Sequence, residues 1–198
     1  MILAFFYGTA LLLGCFPTAY WAGRHFGGLD IRKHGSGNVG ATNALRVLGK
    51  KVGIAVFAVD ILKGALPVIV FFFFARRAGL PYEPHGLWIG LAAVCGHVFN
   101  PFLGFKGGKG VATSAGVLLV NYPVLFAYAV AVFLAIFVCT RIVSLGSLAS
   151  GLVLVAAAWR TGRSRQELAS LAVLLFLIVW THRENIGRLL TGTEKKIS

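Results

Sequence analysis

The chain has 198 residues, 58% of them hydrophobic and 13% charged, with a formal net charge of +13. Soluble domains carry about 25% charged residues, so the composition excludes an ordinary soluble globule and points to a polytopic membrane protein. In a soluble chain such a charge would suggest nucleic acid. Membrane proteins instead gather Lys and Arg in their cytoplasmic loops, and no nucleic-acid partner is expected.

The apolar run from Ile2 to about Ala22 reads as the first membrane span. Leu12-Leu13-Gly14-Cys15 is similar to a lipoprotein cleavage site. No Lys or Arg precedes it, so the positive region of a secretion signal is missing and the run is expected to stay uncleaved. Cys15, Cys95 and Cys139 all fall in apolar runs and read as small buried hydrophobes. Their odd number and scatter provide neither a disulfide framework nor a metal spacing. His25 and Asp30 have the H-x4-D spacing of a large class of glycerolipid acyltransferases, a spacing that five histidines and six acids also produce by chance.

The next segment, HGSGNVGATNALR at 34–46, is polar, glycine-rich and free of acids. Ser36, Asn38, Thr42 and Asn43 are short polar groups, and Gly37 lets the backbone approach a ligand. Arg46 adds a planar fork for phosphate or carboxylate. Gly35, Gly37 and Gly40 also match G-x-G-x-x-G, with Asp60 downstream. A dinucleotide site needs a preceding strand and a βαβ unit. Here a membrane span precedes and Asp60 lies in the next span, which excludes that reading.

Val52 to Ala75 is the second expected span. Asp60 and Lys63 lie one helical turn apart within it. A charge at a helix centre costs roughly 2.5–3.5 kcal/mol on insertion scales, which pairing at i, i+3 offsets. Either the two form a structural ion pair, or one of them reaches a polar pocket or ion path.

A third, short span is expected from Gly86 to about Phe99. GFKGGKG at 104–110 follows it and immediately precedes another apolar run. Gly107, Gly108 and Gly110 permit close backbone approach, a helix N-terminus favours an anion, and Lys106 and Lys109 add charge. The segment reads as a phosphate cradle or, more plainly, as a basic loop facing anionic headgroups. Its spacing is not that of a Walker A loop.

Residues 110–140 carry no charge. As one helix they would span about 46 Å, against a hydrocarbon core of roughly 30 Å, and Asn121-Tyr122-Pro123 interrupts them. Charge favours two helices. With the N-terminus outside, the split leaves only Arg76, Arg77, Arg160, Arg163 and Arg165 outside among the loop cations, as the positive-inside rule prefers. Ile142–Trp159 and Leu168–Thr181 complete the set. The expected architecture is all-α: seven transmembrane helices in one domain over 1–198, two of them short (around 86–99 and 111–121), N-terminus outside, C-terminus cytoplasmic. This arrangement puts segments 34–46, 104–110, 141–147 and 181–188 on one face, where they are expected to form one pocket.

Ser144 and Ser147, at a helix start, are candidates for capping or for ligand contact. In THRENIGRLL at 181–190, His182 is the best titratable candidate, with Asn185 on the same side, and Arg183 or Arg188 is placed to pair with Glu184. Carboxylates on this face are limited to Asp30, Glu184 and Glu194. A magnesium site normally uses at least one well-placed carboxylate, so no metal or other cofactor is expected.

GSGNVGATNALR, GHVFNPFLGFKGGKGVAT and HRENIGRLLTGTE resemble, in order and spacing, the three cytoplasmic motifs of the PlsY family. Those are acyl-phosphate:glycerol-3-phosphate acyltransferases of the bacterial inner membrane, with seven membrane helices. The resemblance implies that acyl phosphate donates a fatty acyl group to the 1-hydroxyl of glycerol 3-phosphate, giving lysophosphatidic acid and phosphate in phospholipid biosynthesis. It implies membrane lipids as surroundings and a functional link to the soluble enzyme that makes acyl phosphate. By position, Ser36 and Arg46 match polar members of the first motif, Lys109 with Gly107, Gly108 and Gly110 the phosphate loop, Ser147 a serine of the third, and His182 and Asn185 its polar pair. Glu184 matches an acid of structural role. The sequence departs from its relatives at Phe99-Asn100-Pro101, where they commonly place proline directly after the aromatic residue. The competing classes are an H-x4-D enzyme using a thioester and a transporter of an anionic metabolite, although no internal repeat is evident.

Overall fold

The computed structural model describes residues 1–197, and their regular structure is entirely helical. The chain divides into two compact units, Met1–Asn121 and Tyr122–Ser198.

The first unit begins with α1 (Ile2–Gly14) and α2 (Thr18–Gly27). A continuous first helix was expected, but it breaks at 15–17. Pro17 has no N–H, and its ring disfavours a helical Phe16. A 3-10 turn at Ile31–Lys33, α3 (Ala41–Leu48) and the long α4 (Lys50–Ala78) follow. Then come α5 (His85–Val98), a 3-10 turn at Pro101–Leu103, and α6 (Val111–Asn121). Small residues let these helices touch backbone to backbone. A Cβ on Gly14 would strike the Ala93 backbone, and one on Gly96 the Leu11 backbone, so α1 and α5 are in closest approach. Gly64 and Gly116 do the same for α4 and α6, against Thr113 and Ile61. Such contacts dominate where lipid leaves little hydrophobic drive between helices. A buried cluster containing Ala22, Ile31, Val39, Ala44, Val56 and Leu103 seats both polar loops of this unit on one apolar base.

The second unit contains α7 (Pro123–Thr140), α8 (Val143–Arg160), α9 (Arg165–Thr181) and α10 (Arg183–Leu190). The break expected between 121 and 123 falls at Tyr122, with Pro123 opening α7. A capping box starts α9: Glu167 N–H donates to Ser164 Oγ at 3.3 Å and Ser164 N–H to Glu167 Oε2 at 2.8 Å. Tyr122 Oη donates to the same Glu167 at 2.9 Å. The chain bends by 60° between α9 and α10, and His182 is the residue at the bend.

Five stretches are long and apolar enough to cross a bilayer: Ile2–Gly27, Lys50–Ala78, His85–Leu103, Pro123–Thr140 and Val143–Arg160. The bent pair α9–α10 makes a sixth if counted as one span. At 11 residues α6 reaches only about 16 Å. The fold is thus an all-helical integral membrane architecture in which the apolar α6 stops well short of a full crossing.

Candidate functional site

In the first unit, Gly28 in the left-handed region ends α2, and Asp30 caps the following 3-10 turn by accepting from Arg32 N–H at 3.1 Å. The Asp30 carboxylate also takes the Arg32 guanidinium at 2.8 Å and has Arg24 at 3.8 Å. These arginines hold its carboxyl well below the usual carboxylate range, the hydrogen bonds from Arg32 leading. The ring contact of His25 is with Phe26. The H-x4-D pairing therefore has no support here: the acid of that pair is an arginine-bound turn cap.

Asn43 organises the loop that follows. Its side chain is fully buried. Oδ1 accepts from Ser36 N–H at 2.8 Å, and Nδ2 donates to the carbonyls of Ile31, His34 and Asn38 at 3.0–3.2 Å. An amide so engaged acts on the loop's own backbone, where the sequence suggested substrate contact. Gly35 has positive φ and sits where a Cβ would strike Asn43 Oδ1. The result is a tight polar turn that leaves Ser36 exposed, with Asn38, Thr42 and Arg46 half-buried around it.

The glycine loop is folded with equal economy. Asn100 caps the 3-10 turn, accepting from Phe102 N–H at 3.0 Å, and its Nδ2 donates to the Cys15 carbonyl. The departure at Phe99-Asn100-Pro101 thus makes a tie to the break in the first span. Gly107 N–H donates to Val98 O at 3.0 Å and Gly108 N–H to His97 O at 3.2 Å. These two amides finish the end of α5, so they do not form the backbone cradle that glycine density suggested. The two glycines instead permit proximity. A Cβ on Gly107 would collide with His97 O, and one on Gly108 with the His97 ring and, at 2.9 Å, with Val39 O. Gly108 and Val39 bring the two loops of this unit into contact, with Lys106 exposed and Lys109 half-buried on the second. Gly110, at positive φ, leads into α6. The first N–H groups of a helix have no intrahelical partner. Within the next turn Thr113 Oγ1 and Ser114 Oγ are buried without a hydrogen-bond partner among the described residues.

In the second unit a carboxylate that the sequence placed on this face without a role is the hub. Glu194, in the segment after α10, accepts from Ser144 Oγ at 2.7 Å, from Asn185 Nδ2, and from Arg188 Nε at 2.7 Å. Ile197 N–H donates to Arg141 O at 2.9 Å, so the tail lies along the start of α8. Burial pushes the Glu194 carboxyl up, but the bonds from Ser144, Arg188 and Asn185 outweigh it and leave the group below its ordinary value. Arg188 pairs with Glu194, and Arg183 packs over the Trp180 ring. Glu184 is exposed, so the structural acid expected at 184 stands at 194. Ser147 Oγ donates to Val143 O at 2.9 Å, within its own helix. His182 is buried, and its Nδ1 lies 2.8 Å from the Ile178 carbonyl. A carbonyl only accepts, so Nδ1 carries the proton and Nε2 is the acceptor nitrogen of the neutral ring. Asn185 lies one turn beyond, on α10. Segments 34–46 and 104–110 meet in the first unit, and 141–147 and 181–188 meet through Glu194 in the second. No group of three or more metal-ligating side chains occurs among the described residues.

Comparison with known proteins places the chain in a family. Residues 4–192 match the family described as Glycerol-3-phosphate acyltransferase. The chain is 46% identical over 188 residues to glycerol-3-phosphate acyltransferase 2 of Bacillus cereus (strain ATCC 10987 / NRS 248), covering 95% of this chain and 91% of that one. It is 43% identical over 192 residues to the glycerol-3-phosphate acyltransferase of Trichlorobacter lovleyi, covering 97% and 96%. Its structure is similar to that of PlsY, an integral membrane glycerol 3-phosphate acyltransferase, in the glycerol 3-phosphate form: TM-score 0.88, 38% identity, 100% of this chain and 96% of that one. The lysophosphatidic acid form of the same protein matches with TM-score 0.87.

Proposed function

The chain belongs to the glycerol-3-phosphate acyltransferase family, and from that premise we propose that its acyl donor is an acyl phosphate and its product 1-acylglycerol 3-phosphate. The observation that carries this reading is the contact at Gly108 and Val39. It joins two basic loops that carry no acid, and the carboxylate just before the first of them, Asp30, is already engaged by arginine. Such a surface suits two phosphate-bearing substrates better than one. The solved relative's glycerol 3-phosphate and lysophosphatidic acid forms agree with the proposed acceptor and product.

An acyl phosphate is a mixed anhydride and needs no further activation. The acceptor 1-hydroxyl oxygen attacks the acyl carbonyl carbon, the bond from that carbon to the phosphate oxygen breaks, and phosphate leaves with its charge. Lys109 and Lys106, with the α6 amino end, balance that charge. Ser36, Asn38, Thr42 and Arg46 bind the acceptor phosphate, and Asn43 and Glu194 hold the loop and the tail in shape. Positioning alone is worth about 7–11 kcal/mol, and one preorganised donor at developing charge roughly 2.7–4 kcal/mol. The hydroxyl proton goes to His182 Nε2, with a phosphate oxygen of the substrate as the alternative acceptor. The enzyme works in the bacterial inner membrane as seven helices, N-terminus outside and C-terminus cytoplasmic, supplied by the soluble enzyme that makes acyl phosphate.

The test is purified protein with glycerol 3-phosphate and either palmitoyl phosphate or palmitoyl-CoA, followed by lysophosphatidic acid and phosphate release. Product from the acyl phosphate alone is expected. Product from the thioester alone would overturn the donor assignment.

A further inference from the structure

The proposed mechanism makes no use of a buried polar cluster in the first unit. Asp60 and Lys63 are 2% and 6% exposed in α4, with their charged atoms 2.8 Å apart. Each also grips another element. Asp60 Oδ1 accepts from Thr18 Oγ1 at 2.9 Å, at the start of α2. Lys63 Nζ donates to Phe16 O at 3.0 Å, at the break that Pro17 imposes. His97 Nδ1 lies 3.9 Å from the same Asp60 oxygen. The other side of that ring is the surface against which Gly108 is packed, and the His97 carbonyl receives the Gly108 N–H. One pair thus touches the break that opens α2, the helix leading toward the 34–46 loop, and lies 3.9 Å from the residue on which the glycine loop rests.

We propose that the Asp60–Lys63 pair is a positioning device for acyl transfer, keying the two phosphate-facing loops of the first unit to a common reference. This rests on the functional reading of those loops. Stability is a poor reason to keep the charges, because replacing a buried ion pair with apolar residues of similar volume is often neutral or stabilising. Geometry is a better one, because a misplacement of about 1 Å far from the chemistry can cost about a hundredfold in rate.

The same logic supplies the test. The double variant Asp60→Leu/Lys63→Met removes both charges while preserving bulk. Thr18→Val removes one hydroxyl bond from the pair at constant shape. Each is compared with the parent for thermal unfolding and for kcat and KM per folded molecule, using whichever acyl donor the parent accepts. The donor assignment and the positioning role therefore fail separately. The double variant is expected to unfold within a few degrees of the parent and to lose at least about thirtyfold in kcat/KM, mostly in kcat. A purely structural pair would lower the folded fraction and leave turnover per folded molecule intact. Turnover within about threefold of the parent would overturn the proposal. If the double variant does not fold, Thr18→Val decides. A loss of about fivefold or more in kcat supports the positioning role, and parental kcat overturns it.

Discussion

Asn43 and His182 show how differently two side chains of the proposed site are used. Asn43 makes four hydrogen bonds, all to the backbone of the loop before it. Asn43→Ala is expected to leave three carbonyls and the Ser36 N–H to find new partners, at about 1–3 kcal/mol for each group that stays buried. The loop should lose its shape, and kcat/KM should drop about a hundredfold or more, with a lowered thermal midpoint measured alongside. His182 is buried, with Nδ1 donating to the Ile178 carbonyl, and His182→Ala is assayed per folded molecule. As general base it should cost about 10²–10⁴ in kcat. Activity surviving within about tenfold would hand the proton to the substrate phosphate. Both residues stood out in the sequence as polar candidates, but the partners of Asn43 did not. An asparagine beside glycines looks the same whether its amide faces a ligand or its own turn.

At the scale of elements, the tail is one part whose stability responds to acid. Glu194 fastens it to α8 and α10 through Ser144, Asn185 and Arg188. Its folded pKa lies below the ordinary value it has when unfolded. The clasp therefore contributes fully above the unfolded value and is lost as pH falls through the folded one. Glu194→Gln keeps the shape and removes the charge, and is expected to destabilise by about 1–3 kcal/mol at neutral pH. Thermal midpoints measured from pH 7 down to pH 3 should converge for parent and variant at the acid end. Asp30 also has a lowered value, so both proteins lose stability in acid, and only their difference reports Glu194. Apolar run length located α8 and α9 well, and Asn121-Tyr122-Pro123 marked the break at Tyr122. Run length passed over the break at Phe16–Pro17, because an apolar run reads as continuous until the proline's missing N–H is counted.

For the whole molecule, charge asymmetry makes the boldest statement. Only Arg76, Arg77, Arg160, Arg163 and Arg165 fall in loops assigned to the outside, and the proposed seven-helix topology rests on that bias. Single cysteines placed at 80 and 162 in a cysteine-free background are expected to react with an impermeant thiol reagent in intact cells. Cysteines at 106 and 193 should react only after the membrane is opened. Labelling of 106 from outside would invert the topology or require α6 to cross differently.

By itself the sequence determined the solvent of this protein, its helical class and the sign of its ligands. Those follow from properties that add along a chain: apolar length, charge, and glycine next to lysine. Only the tertiary structure decided which polar groups face a ligand and which hold the fold. Asn100 reaches Cys15 across 85 positions and Ser144 reaches Glu194 across 50. A hydrogen bond saturates its donor, and whether a group is already saturated depends on neighbours that no local pattern encodes.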